Sequence, residues 1–186
     1  MKKSILLSIA AAFFVSAAGF AQSGSKLVSS KTQITFFSST AAEDIQAGNT
    51  AAVSTIDKSS GEVVFSVPMQ GFEFEKSLMQ KHFNSDKFLD TKSHPDAKLK
   101  ARITDLERID FGKDGSYPAT VQGELTIKGK TNPVSESGTV TVKGNTVKVD
   151  SKFDVTLADY GITFSKGKPS TNIAKTVEVT VQAEYK

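Results

Sequence analysis

Val147-Lys148-Val149-Asp150-Ser151-Lys152-Phe153-Asp154-Val155-Thr156-Leu157 is a run with a single period, two. Its odd positions are apolar apart from Ser151 and its even positions are Lys, Asp and Thr, as a strand with one buried face requires. The alternation recurs in Val63, Phe65, Val67; in Leu99, Ala101, Ile103; in Ala119, Val121, Gly123, Leu125, Ile127; and in Val177, Val179, Val181, Ala183, Tyr185. Parallel sheets covered on both faces read as continuous apolar runs instead, so these strands are expected to be antiparallel with one face in water. Lys58-Ser59-Ser60-Gly61, Gly112-Lys113-Asp114-Gly115 and Lys130-Thr131-Asn132-Pro133 read as loops, and Gly144-Asn145 as a tight hairpin. Seven to nine strands fit. A sheet of that length removes its edges by closing or folding over, which predicts a barrel or a sandwich.

One stretch departs from the period. Phe74, Leu78, Phe83 and Phe88 recur near helical spacing, with Ser85 and Asp86 as caps for a second short turn. One or two short helices are expected here, over an end or side of the sheet, either plugging the core or covering a cavity.

The boundaries are set by the first 21 residues. Lys2 and Lys3 precede an apolar stretch, Ile5 to Phe20, and Gly19-Phe20-Ala21 has the small-x-small form of a secretory cleavage site. The apolar core is short of the roughly 20 residues of a membrane span, and no basic cluster follows it. The reading is a cleaved signal peptide over residues 1–21, one domain over 22–186, and a location outside the cytoplasm. Because Lys2 and Lys3 fall in the leader and no acid does, the remainder carries 21 basic residues against 20 acidic, a formal charge of +1. The lysines are interspersed with acids and hydroxyls, so no nucleic-acid partner is expected. The chain has no cysteine, which rules out disulfides, a thiol nucleophile and a lipidated cysteine.

Catalytic signatures are missing. There is no G-x-S-x-G elbow, no phosphate-binding G-x-x-x-x-G-K-[ST] and no G-x-G-x-x-G after a strand. His82 and His94 match no compact metal-ligand spacing, so neither a metal nor another cofactor is expected. An enzyme would have to use His82 with Asp86 or Asp90 as acid and base, and the expectation is that the protein is not one. The aromatic content is unusual: after the leader come ten phenylalanines and no tryptophan. They fit a packed aromatic core. They also fit the lining of an apolar tunnel, which an eight-stranded barrel can enclose if its interior is not filled.

The stretch from Lys81 to Ala97, KHFNSDKFLDTKSHPDA, resembles the central signature of the YceI-like family, the polyisoprenoid-binding periplasmic proteins. Thr32 to Thr40 resembles that family's first core strand. Gly123-Glu124-Leu125-Thr126-Ile127-Lys128-Gly129-Lys130-Thr131 resembles its G-x-L-T-I-x-G-x-T element, and Phe153 to Ile162 its late strand and turn. Four pieces in order span essentially the whole chain after the leader. The resemblance implies an all-β, extended lipocalin-like antiparallel barrel of eight strands with one or two short helices. It implies an apolar cavity for an isoprenoid chain, of the quinone or polyprenyl phosphate type, bound without catalysis in the periplasm. The inward candidates are Phe36, Phe65, Phe74, Phe83, Phe88, Leu125, Phe153 and Leu157, with Lys81 and His82 as polar contacts. Transient membrane contact and a homodimer are compatible with it. The alternative is a structural or interaction barrel with a packed interior. One departure is local: many family members carry an Arg-Asp pair where this chain has Met79 and Gln80.

Overall fold

The computed structural model describes residues 24–163 and 173–186; the expected signal peptide and Phe164 lie outside them. Ten strand segments make one antiparallel sheet: β1 Lys26–Ser39, β2 Asp44–Asn49, β3 Val53–Asp57, β4 Glu62–Pro68, β5 Phe72–Phe74, β6 Asp96–Ile103, β7 Gly115–Ile127, β8 Lys130–Lys143, β9 Thr146–Thr156 and β10 Thr176–Tyr185. Their order is β10-β9-β8-β7-β6-β4-β3-β1-β2-β5, and β10 also pairs with β1 along Ser29 to Phe37. That last pairing closes the sheet. Because β2 and β3 both run along β1, and β5 and β4 run along β2 and β3 in turn, each couple is one wall strand with an interruption. The result is a closed antiparallel barrel of eight strands, the smallest common size with room inside for one ligand.

The two interruptions are stitched by a residue that no periodicity marks. Asn49 is fully buried; its Nδ2 donates to the Pro68 carbonyl at 2.7 Å and its Oδ1 accepts from the Ala51 N–H at 2.9 Å. Main-chain groups that leave the ladder at β2–β3 and β4–β5 are thereby satisfied without water.

The inward alternation read from the sequence is the one the barrel uses. Val63, Phe65 and Val67, Ala101 and Ile103, Val147 and Val155, and Val177, Ala183 and Tyr185 are all buried. The hairpin at Gly144-Asn145 is present, with Lys143 paired to Thr146. The loop expected at Lys130–Pro133 is not: the turn is Lys128-Gly129, both at positive φ of 49° and 73°, and Lys130–Pro133 belongs to β8. Two successive positive φ values are the hairpin geometry whose twist matches the flanking strands. Gly123 sits where β7 meets β6 most closely; a Cβ there would lie 2.2 Å from the Lys100 carbonyl oxygen. The glycines of the G-x-L-T-I-x-G-x-T element therefore serve strand approach and turn.

The helical segment is shorter than expected. One helix forms, α1 Ser77–Asn84; Phe74 lies in β5 and Leu78 is 62% exposed. Ser85 does not start a second helix because it closes the first: its N–H and its Oγ both donate to the His82 carbonyl. Gln80, one of the two departures from the family pattern, ties α1 to the free edge of β5, donating from Nε2 to the Phe72 carbonyl at 2.6 Å and accepting at Oε1 from the Phe74 N–H at 3.2 Å. An unpaired strand edge is covered in this way rather than left exposed.

Candidate functional site

Closing eight strands with mostly medium-sized inward residues leaves the barrel unfilled. A cavity of about 960 Å³ occupies it, near the upper end of the roughly 300–1,000 Å³ usual for small-molecule sites. Phe36, Phe65, Phe74, Phe83, Phe88, Leu125, Phe153 and Leu157 all border it. His82 borders it at the α1 end. Lys81 does not, because a helix turns by about 100° per residue and so sets Lys81 on the side opposite the buried Phe83.

Two ends can be distinguished. Beneath α1, Phe83 is the hub of an aromatic cluster: its ring centroid lies 5.8 Å from Phe36 in a stacked arrangement, 5.6 Å from Phe72, 5.0 Å from Phe74 and 6.2 Å from Phe88. These are the separations at which aromatic pairs attract beyond their area. The core reading and the lining reading of the phenylalanines thus both hold at this end, where the cluster packs and also faces the cavity. Polar groups rim it, among them the Lys76 to Glu43 ion pair at 2.8 Å, which links the start of α1 to the β1–β2 turn. The opposite end is blind. Tyr185 is fully buried there, its hydroxyl 2.7 Å from Ser54 Oγ, and burial pushes the phenol up to about 12.

The wall itself has a break. β8 and β9 pair only from Lys143↔Thr146 to Gly138↔Ser151, although β8 begins at Lys130 and β9 runs to Thr156. Beyond Gly138 the strands part. The parting is closed further on by the turn Leu157–Tyr160, where Asn132 Nδ2 donates to the Asp159 carbonyl at 3.0 Å. Among the described residues it is therefore a window in the side of the barrel. Ser137 and Thr139, which precede and follow inward-facing Gly138, border the same cavity, so the cavity reaches outward here. By the alternation of an antiparallel ladder, Pro133, Ser135 and Ser137 turn their main-chain groups toward the window. Pro133, which has no N–H to leave unpaired, sits where such an edge tolerates it.

The residues that an acid–base reading would need do not meet. His82 is exposed on α1, and among the described residues no hydrogen bond or ion pair joins its ring to Asp86 or Asp90. No cluster of metal-ligating side chains occurs among the described residues. The signature segment that contains them is occupied with its own fold. Leu89 N–H donates to Phe83 O, Asp90 N–H to Ser85 O, and the buried Thr91 hydroxyl to Asn84 Oδ1 at 2.9 Å. Lys128 Nζ reaches the Phe88 carbonyl, and the His94 ring lies over Gly129. The segment fastens α1 to the β7–β8 turn. What the sequence reading did not single out are Asn49, Glu136 and the window; the lone acid at an inward position of an alternating strand could have pointed to Glu136, and no sequence signal marks Asn49.

A model of the YceI-like domain matches residues 17–185. Among solved structures the chain is similar to BcnA of Burkholderia cenocepacia, at 18% identity over 82% of this chain and 95% of that one, with a TM-score of 0.67. It is similar to a polyisoprenoid-binding domain from Saccharophagus degradans implicated in plant cell wall breakdown, at 13% identity, 87% and 98% coverage and a TM-score of 0.73. A YceI protein from Campylobacter jejuni matches at 14% identity, 73% and 80% coverage and a TM-score of 0.57. At such identities the likeness is one of fold. No curated protein matches.

Proposed function

The chain belongs to the YceI-like family, and on that premise we propose that it holds an isoprenoid-type lipid, with a quinone or polyprenyl phosphate kind of tail, inside the barrel without converting it. We place this activity in the periplasm on the strength of the leader sequence, with transient contact to a membrane as the step that loads and unloads the chain. The observation that carries the reading is the unfilled apolar cavity of about 960 Å³. A barrel serving only as a structural or interaction module would gain stability by filling that volume, since voids cost dispersion contacts. The binding force is burial. Each methylene taken from water contributes roughly 0.8 kcal/mol, so a long chain binds tightly with few directional contacts.

The test is to purify the mature protein from its own periplasm, extract it with organic solvent and identify the extract by mass spectrometry beside a native mass of the intact complex. A stoichiometric prenyl species is the expected result. An empty protein that also refuses added isoprenoids would overturn the proposal in favour of the module reading. The native mass also reports whether the protein is a homodimer.

A further inference from the structure

Among the described residues five charged ones border the cavity, together with His82, and their places differ. Glu43, Lys76 and Lys87, like His82, belong to α1 or the segments beside it, and Lys98 is exposed, alternating with buried Ala97 on β6. Glu136 is different. It sits halfway along β8, directly across from Val121 of β7, and it shares its face with Val134, Gly138 and Val140. That face points inward, since Val140 is only 2% exposed. Among the described residues no hydrogen bond or ion pair reaches its carboxylate. Its side chain is partly buried, so the carboxylate gives up some of its water beside Val121 and Val134 without gaining a partner among the described residues. The packing of the described residues gives no reason for an acid at this place.

Its position coincides with the window. Glu136 lies one residue before Ser137, whose carbonyl accepts from Ser151 Oγ at 2.7 Å at the foot of the parting, and Phe153 and Ser151 of β9 border the cavity opposite. Burial, and then the Asp154 carboxylate outside, push the Glu136 carboxyl above its ordinary value. With its proton it donates to a carbonyl oxygen. Without it, it accepts from a hydroxyl. In neither form does it attract an anion.

We infer that the β8–β9 window is the polar subsite of the cavity, where Glu136 selects an uncharged, hydrogen-bonding lipid head, a hydroxyl or carbonyl oxygen, over a phosphate. The inference rests on the lipid-binding reading above and adds what that reading leaves open, the chemistry of the head. The apolar tail then extends along the barrel interior, bordered by Phe153 and Leu125.

The experiment compares three ligands with one tail: geranylgeraniol, its phosphate monoester and the corresponding hydrocarbon, each titrated as a competitor of a fluorescent apolar probe. The unchanged protein is expected to bind the alcohol about tenfold tighter than either other ligand, the ratio that one net hydrogen bond supports. In Glu136→Leu the alcohol should fall to the level of the hydrocarbon while the hydrocarbon binds at least as well as before. In Glu136→Lys the phosphate should overtake the alcohol. An unchanged protein that binds alcohol and hydrocarbon equally, or variants that keep the alcohol preference, would overturn the subsite with lipid binding intact. Failure of all three ligands would overturn the lipid-binding reading itself and the subsite with it. Should a variant not fold, the ranking in the unchanged protein decides alone.

Discussion

Single residues carry the polar bookkeeping of this barrel. Replacing Asn49 with Ala removes the side-chain partner of the Pro68 carbonyl and of the Ala51 N–H, both part-buried. The expected cost is about 2–3 kcal/mol, read as a lower urea midpoint at unchanged slope. Asp57 acts at the surface. Its carboxylate accepts from the Ser59 hydroxyl and N–H and from the Ser60 N–H, and these bonds, the Ser59 hydroxyl foremost, lower it from 3.8 to about 2. A carboxyl depressed on folding contributes stability that is complete above its ordinary value and lost as the pH falls through the folded one. The β3–β4 turn should therefore weaken between about pH 3.8 and 2. Asp57→Asn should flatten that part of an acid titration followed by circular dichroism; an unchanged curve would remove Asp57 from the account.

At the level of elements, α1 is held by two different means. Phe83 supplies apolar contact to four other rings, so Phe83→Ala should destabilise by about 3–5 kcal/mol. Gln80 supplies only two hydrogen bonds to β5, and Gln80→Ala should cost about 1–2 kcal/mol while raising amide exchange at Phe74. A Phe74 amide that exchanged no faster in that variant would mean the β5 edge is protected otherwise. The same contrast explains what could be read before the fold was seen. The strands with a strict period, such as β9 and β10, were legible because one face of each is buried along its length. Of the phenylalanines on the cavity, Phe65 and Phe153 follow from the same parity, whereas Phe83 and Phe88 stand on a helix and a turn. The turn at Lys128-Gly129 was not legible because Asn132-Pro133 carries stronger local turn chemistry four residues later, and only the broken β8–β9 pairing lets a proline stand inside a strand there. Nor was α1 measurable from Phe74 to Phe88, since those rings meet from a strand, a helix and a turn rather than along one helix. Interruptions such as Thr50 to Ala52 have no periodic mark, and Asn49 owes its importance to a carbonyl 19 residues away.

For the molecule as a whole, a cavity that the chain's own side chains do not fill makes stability depend on its occupant. A prenyl lipid at a hundred times its Kd adds about 2.7 kcal/mol to folding, which at this size raises Tm by roughly 5–10 °C. Thermal melts with and without added lipid check this, and coincident curves would mean that nothing entered. The pairing of β1 with β10 has a further consequence, which concerns time. Ser29 meets Tyr185, so the wall is sealed by the first and last strands of the described chain. Such closure between distant segments is slow compared with forming hairpins. A polypeptide that emerges amino end first can assemble the successive hairpins β6 to β9 before the rest has followed, yet it has no inside until Thr176 to Tyr185 arrive. Nothing can be enclosed before then; the interior comes into being only with the last strand.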